Sequence, residues 1–402
     1  MNNLFNWKDN CNEIVLAFSL VFPVYILIFF GLKPLTQGLA YLTYFIPIIF
    51  YCSRKIPLRL PKKFVFLWVL FLFLWVTPSL LNFYSGKLES DLVKLPALFV
   101  HVVYMSVMIW TFAAITQSES SDKKNILVNT LGLVSAMLLP LALLILLNGI
   151  YLKLWSGVNR PLVFSSSPHF LSEVSLILVF SLVWVRSIRT KVLIYVMTLF
   201  FLTFVVETRS TLLAFSVFVF LLSIIPRWKN LIKLFFRYRY GWIPTLLVIP
   251  FVYKPIVAFV SSTLYLNSAA RGWNSGLTGR VDVWIKGLHS IHENPLLGLG
   301  YWVSPYGYQL DTKFSINNPN FDIHNAWIRI AVENGLPLFT FVCVLILATM
   351  YKIEKFQDHY SRAIFYAIII VLCLTTRHLT INLLNMVFYF VAVFVLMRNK
   401  KK

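Results

Sequence analysis

The stretch FVFLWVLFLFL, residues 64–74, decides the class of fold. All of its side chains are apolar, whereas a strand of a membrane β-barrel alternates apolar and polar residues. A backbone in hydrocarbon must satisfy its own hydrogen-bonding groups, and a helix does so within one segment. The stretch therefore predicts a membrane-spanning helix.

The rest of the chain has the same character. Of its 402 residues, 59% are hydrophobic and only 13% are charged, about half the charged fraction of a soluble domain. Apolar runs near the length of a bilayer span recur along it. We predict an all-α integral membrane protein with about twelve transmembrane helices, forming a single polytopic membrane domain over residues 1–402. The predicted spans are 14–32, 36–52, 64–83, 95–116, 126–149, 171–185, 192–206, 211–225, 242–259, 335–351, 363–376 and 380–397.

The distribution of charge predicts the orientation. A net charge of +21 could indicate nucleic acid, but the basic residues cluster in short loops between spans, with five each in residues 53–63 and 226–241. Such loops lie on the cytoplasmic side of a membrane. We therefore expect both termini to lie in the cytoplasm and the protein to be embedded in the lipid bilayer. We expect no nucleic-acid partner. The large polar loop 260–325 then lies outside, between spans 9 and 10.

This large loop carries most of the chemically suggestive residues. After Leu277-Thr278-Gly279-Arg280, residues 281–292 have the spacing of an amphipathic helix. Arg280 lies near its N-terminus, where backbone N–H groups also favour anions. Asn294-Pro295 predicts the end of that helix, and the glycines of 294–300 predict a turn. A second short helix is predicted at 326–334, stopped by Gly335 and Pro337.

Three residues are the main candidates for catalysis. His324 lies at the entrance of the second short helix, where an imidazole can accept a proton near neutral pH. Its alternative role is a hydrogen bond within the loop. Arg209 lies in a break between two apolar runs and could hold a pyrophosphate together with Arg280. Alternatively, Arg209 pairs with Glu207 or reaches the membrane interface.

Weaker candidates concern substrate and metal binding. We assign Arg160, Asn325 and Arg329 to substrate binding. His289 and His292 could share a helix face, but no carboxylate or third histidine at ligand spacing supports a metal there. The sequence contains no Cys-x-x-Cys pair, so a thiolate metal site is not predicted either. We expect neither a metal nor a cofactor.

At these residues the chain resembles the O-antigen ligase and O-antigen polymerase family of bacterial membrane glycan transferases. The ligase signature is His, then Asn, Ser or Gln, nine residues, Gly, two residues, and Gly, Thr or Tyr. His324-Asn325 and Gly335 fit it, whereas the last position is Leu338. The run 209–213, Thr278-Gly279-Arg280 and the stretch 294–300 also resemble family motifs. Some ligases have an acidic residue between the last two spans, where this chain has Thr376-Arg377-His378.

The resemblance implies a GT-C-like glycosyltransferase of the bacterial inner membrane with a periplasmic active site. Its donor would be an undecaprenyl-diphosphate-linked glycan, and its acceptor lipid A–core. Arg209 and Arg280 would stabilise the leaving pyrophosphate, and His324 would take the acceptor's proton. The departure at Leu338 leaves open a polymerase, whose acceptor is a second lipid-linked glycan. A polysaccharide transporter or flippase is the alternative from a different class.

Overall fold

A computed structural model describes residues 11–30, 61–84, 94–118, 123–155, 188–200, 209–224, 280–300, 325–356 and 359–374. It also describes positions 42, 46, 49, 176 and 202 and most of 388–396. Within these residues the secondary structure is helical, without strands, so the predicted all-α class is confirmed there. The helices are α1 (Cys11–Phe30), α2 (Lys62–Tyr84), α3 (Lys94–Ser118), α4 (Lys123–Trp155), α5 (Ile188–Phe200), α6 (Arg209–Ile224), α7 (Arg280–Glu293), α8 (Ala326–Phe356) and α9 (His359–Leu374).

Three of the described helices are long and apolar enough to cross a membrane, judged by length and composition. They are Lys62–Asn82, Thr130–Tyr151 and Ala326–Ile353, with mean hydropathies of 2.3, 2.5 and 2.1. A helix rises about 1.5 Å per residue, so about 20 residues match the thickness of the hydrocarbon core. These helices coincide with the predicted spans 64–83, 126–149 and 335–351. The total of twelve spans stays a prediction, and the predicted spans 36–52, 171–185 and 242–259 lie almost wholly outside the described residues.

Two helices confirm local predictions about the large loop. Helix α7 covers the predicted amphipathic segment 281–292 and begins at Arg280. Helix α8 continues through both the predicted short helix and the following span, but its backbone is non-helical at Gly335, with φ 78° and ψ 175°. Pro337 lies just after this break, where a helix tolerates proline because the first turn leaves its N–H groups without intrahelical acceptors. The predicted stop at Gly335 is therefore confirmed as a break inside one helical element.

Among the described helices, α8 packs against three others. Helix α2 packs along α8, α7 and α9 also contact α8, α6 packs on α9, and α1 packs on α4. The rings of Phe71 and Phe341 lie 6.3 Å apart, while Trp75 contacts Asn334, so α2 and α8 run in opposite directions. This arrangement brings the end of α2 near Asn82 to the break in α8.

Candidate active site

The loop 294–300 lies against the break in α8. The last carbonyl groups of a helical segment have no partners within it, so other groups must supply donors. Here the loop donates two backbone hydrogen bonds to α8 and accepts one from it. The three backbone bonds are Leu299 N to Val332 O at 2.7 Å, Gly300 N to Glu333 O at 2.8 Å, and Leu336 N to Pro295 O at 2.7 Å. We call this contact between residues 294–300 and 332–336 the junction.

Two glycines make the junction possible. Gly298 has φ 62° and Gly335 has φ 78°, conformations that L side chains rarely adopt. A Cβ atom on Gly298 would lie 2.6 Å from Gly335 N and 2.6 Å from Val332 O. A Cβ atom on Gly335 would meet the carbonyl of Leu296. The two backbones are therefore closer than any residue with a side chain allows.

Two asparagines tie the junction to α2. The Nδ2 of Asn82 donates to Gly298 O at 3.1 Å, and the Nδ2 of Asn334 donates to Trp75 O at 3.0 Å. Both asparagines are buried. A buried polar group is costly unless it is hydrogen-bonded, so the Asn82 bond specifies how the loop packs on α2 and the Asn334 bond specifies how α8 packs on α2.

Helix α7 is held on the first part of α8 by an apolar cluster. Ile291 packs with Ile328, Ala331 and Val332, and the partly buried Leu288, Leu299 and Phe339 surround them. The opposite face of α8 presents Ala326, Trp327 and Ile330 to the main core. Residues 326–334 are thus fixed on two sides, by the loop helix and by the membrane bundle.

A buried ion pair lies on the same turns of α8. The Nε of Arg329 donates to Glu333 Oε1 at 2.8 Å, and the two side chains are only 4% and 0% exposed. Charge-assisted hydrogen bonds of this kind are about twice as strong as neutral ones. The pair therefore engages Arg329, which was predicted from sequence to bind substrate, in a contact within its own helix.

Asn325 is the N-cap of α8. Its Oδ1 accepts hydrogen bonds from Trp327 N at 3.0 Å and Ile328 N at 3.1 Å, and its side chain is buried. Such a cap satisfies N–H groups that a helix start otherwise leaves without partners. Because His324 directly precedes Asn325 in the chain, the cap fixes the backbone next to the predicted base.

This cap leads to a first prediction. Replacing Asn325 with alanine should destabilise the protein by about 1 kcal/mol, because the cap is lost, whereas aspartate or serine should retain it. Thermal unfolding of the purified proteins in detergent measures the difference. If the aspartate variant is as impaired in activity as the alanine variant while remaining stable, the amide group of Asn325 contacts substrate and the cap is not its main role.

The structure describes two of the three predicted catalytic residues. Arg209 is the first residue of α6 and Arg280 is the first residue of α7, as their motifs predicted. His324 and Arg160 lie outside the described residues, so their predicted roles stay predictions. No group of three or more His, Cys, Asp or Glu that could hold a metal occurs in the described part of the chain.

Some residues of this region were missed by sequence reasoning. Glu333 was not singled out, although Arg329 and Glu333 have the i,i+4 spacing of a helical ion pair. Asn82 and Trp75 carried no local signal, since their partners lie more than 200 positions away in the chain.

The region that contains the junction is similar to a known protein family. Residues 194–343 match the family model described as O-antigen ligase. This part of the chain is related to the O-antigen ligase family. The resemblance based on the motifs is thereby confirmed over a stretch that includes α6, α7, the junction and the break in α8. Together with the apolar helices, the O-antigen ligase match indicates an integral membrane protein.

The chain is also similar to a bacterial exopolysaccharide protein. The exopolysaccharide production protein ExoQ of Rhizobium meliloti (strain 1021) is 34% identical over 99 residues. The matched stretch is 23% of this chain and spans only 21% of the length of ExoQ. Both comparisons relate part of this chain to bacterial polysaccharide proteins, one described as O-antigen ligase and one as an exopolysaccharide production protein.

Proposed function

We propose that this chain is an O-antigen ligase-like glycosyltransferase of the bacterial inner membrane. It transfers a glycan from undecaprenyl diphosphate to a sugar hydroxyl of lipid A–core at the periplasmic face. The match of residues 194–343 to the O-antigen ligase family carries this proposal, because that stretch contains Arg209, Arg280 and His324. Twelve spans, cytoplasmic termini and the periplasmic loop 260–325 belong to the same proposal.

The reaction assigns a separate task to each candidate residue. The acceptor oxygen forms a bond to the anomeric carbon of the donor, and the bond from that carbon to the diphosphate oxygen breaks. His324 takes the proton of the acceptor hydroxyl. Arg209 and Arg280 stabilise the negative charge of the departing undecaprenyl diphosphate. No metal or nucleotide takes part in this scheme.

The three residues predicted to bind substrate have different roles in this proposal. Arg160 stays a proposed substrate-binding residue. For Asn325 and Arg329, the cap and the pair with Glu333 favour a role in positioning the start of α8 over direct contact with substrate. The junction then holds the helix that begins at Arg280 against the helix that begins one residue after Asn325.

The polymerase is the second candidate, and the relationship to an exopolysaccharide production protein favours it. A polymerase would join undecaprenyl-diphosphate-linked repeat units by the same chemistry, with a second lipid-linked glycan as acceptor. Gene deletion followed by gel analysis of lipopolysaccharide separates the two. Loss of a ligase leaves bare core while lipid-linked polymer accumulates, whereas loss of a polymerase leaves core with a single repeat unit.

Substitution of the candidate residues tests the mechanism. His324→Ala and Arg280→Ala should each lower transfer by roughly 100-fold or more, the usual contribution of a general base or of a preorganised donor. Complementation of the deletion strain, with membrane expression quantified, measures the effect. His292→Ala is a matched control, because His292 is exposed on α7. Strong activity of the His324→Ala or Arg280→Ala protein at normal expression would contradict the assignment.

A further inference from the structure

The final turns of α2 carry a polar stripe on one face of an otherwise apolar helix. Trp75 and Asn82 are separated by close to two helical turns, about 10 Å along the axis, so they lie on the same face. Ser79 lies between them on that face, and both Ser79 and Asn82 are buried. The span Lys62–Asn82 has a mean hydropathy of 2.3. Buried polar side chains are costly in such a helix, so the stripe requires hydrogen-bond partners.

Pro78 weakens the internal hydrogen bonding of α2 at this stripe. A proline inside a helix has no N–H, and its ring displaces the carbonyl group four residues earlier. The next carbonyl group, that of Trp75, accepts a hydrogen bond from Asn334 of α8. Neighbouring helices supply such bonds around prolines in membrane helices. Pro78 is therefore a local reason why the backbone of α2 is open to α8 here.

The same face of α2 supports both elements that carry described or neighbouring candidate catalytic residues. The Nδ2 of Asn82 donates to Gly298 O, in the loop that continues from α7, the helix that begins at Arg280. Asn334 donates to the stripe from α8, the helix that begins two residues after His324. Arg280 and His324 belong to different elements, and α2 is the common support to which both elements are hydrogen-bonded.

The loop connects the Asn82 contact to α7 through backbone hydrogen bonds. Gly298 N donates to Asn294 O at 3.0 Å, and Asn294 N donates to Ser290 O of α7 at 3.0 Å. Helix α7 has 14 residues and is about 20 Å long, so a shift or tilt at its end also moves its start. The apolar cluster between α7 and α8 is non-directional. The hydrogen bond from Asn82 adds a directional contact that fixes the position of the loop.

We propose that Asn82 is a positioning residue for the glycosyl transfer. Its amide fixes the loop 294–300 on α2 and thereby sets the placement of Arg280 relative to His324, without touching substrate. This inference rests on the proposed function, because the two residues whose spacing it sets are the proposed catalytic ones. A misplacement of about 1 Å in a catalytic site can lower the rate about 100-fold. Loss of the Asn82 contact should therefore affect turnover more than donor binding.

Transfer kinetics of the detergent-purified full-length Asn82→Leu protein test the proposal. The donor is lipid-linked glycan extracted from the deletion strain, and transfer is counted on either lipid A–core or a second lipid-linked glycan. Leucine keeps the side-chain volume but cannot donate, so kcat should fall roughly 10- to 100-fold while KM for the donor changes less than about threefold. Asn82→Gln, which keeps an amide donor, should recover part of this loss. The matched control Thr111→Val removes a buried hydroxyl that bonds within its own helix α3, and should leave kcat unchanged.

Hydrogen–deuterium exchange gives a readout that does not depend on activity. The amides of Leu299 and Gly300, which donate to α8, should exchange roughly 10-fold faster in Asn82→Leu than in the parent or Thr111→Val, while exchange in α4 is unaffected. If Asn82→Leu does not fold, Asn82→Ser takes its place, because the serine hydroxyl is too short to reach Gly298 O.

Three results would overturn the positioning role of Asn82. They are an active parent with an unaffected kcat in Asn82→Leu, unchanged exchange at Leu299 and Gly300, and an Asn82→Gln protein no more active than Asn82→Leu. Equal losses of kcat in Asn82→Leu and Thr111→Val would also overturn it, since any buried polar substitution would then suffice. A parent protein that transfers no glycan would instead overturn the proposed function, and the positioning role with it.

Discussion

The Gly335→Ala variant is expected to unfold at a markedly lower temperature than the parent and to lose its activity. The backbone of Gly335, at φ 78° and ψ 175°, lies in a region that is essentially restricted to glycine, and strain there costs about 1–3 kcal/mol. The added methyl group would also meet the Leu296 carbonyl and lie 3.0 Å from Leu297 N. Overpacking of this kind adds about 1–3 kcal/mol. Thermal unfolding in detergent and complementation measure the two effects.

The partner glycine should behave in the same way, because the contact is reciprocal. Gly298→Ala places a methyl group 2.7 Å from Asn334 N, against backbone that cannot yield as a flexible side chain would. Leu296→Ala is the matched control in the same loop, because Leu296 is 70% exposed and contributes little burial. If Gly335→Ala unfolds at the same temperature as Leu296→Ala, the close backbone contact does not stabilise the fold.

The second large effect is expected at the buried ion pair. Glu333→Ala should cost about 3–5 kcal/mol, because it leaves the buried guanidinium of Arg329 without its carboxylate partner. Replacing the pair together, as Arg329→Met with Glu333→Leu, should cost much less, because apolar side chains of similar volume often substitute for a buried pair. The unfolding temperatures of the three proteins measure this difference.

A second pair in the same region provides the control. His289 Nδ1 and Glu293 Oε1 lie 3.3 Å apart with the same i,i+4 spacing on α7, but their side chains are 72% and 56% exposed. Glu293→Ala should therefore cost at most about 1 kcal/mol. Equal losses of stability in Glu333→Ala and Glu293→Ala would show that burial does not govern the strength of the α8 pair.

Features that depend on neighbouring residues could be predicted from the sequence. The start of α7 at Arg280, the start of α6 at Arg209 and the break at Gly335 follow from local patterns of charge, apolar spacing, glycine and proline. Local backbone preferences act within a few residues, so a single sequence contains the information. The predicted start of the second short helix at residue 326 agrees with the start of α8, directly after the N-cap Asn325.

Other features required the tertiary arrangement. Arg329 was predicted to bind substrate, and its burial beside Glu333 could not be predicted, because a sequence shows the spacing of two charges but not their exposure. The contact between Gly298 and Gly335 was invisible for a related reason. Each glycine predicted a turn or a stop, and only the folded chain shows that they require each other.

The sequence was sufficient for the helical class and the local motifs, because the bilayer demands apolar helices and the positions of helix ends depend on short stretches of chain. Helix packing decided how these pieces combine. Asn82 meets Gly298 across 216 positions, and Asn334 meets Trp75 across 259. Such contacts arise from the packing of α2 on α8, which no local pattern specifies, and they convert separate motifs into one junction.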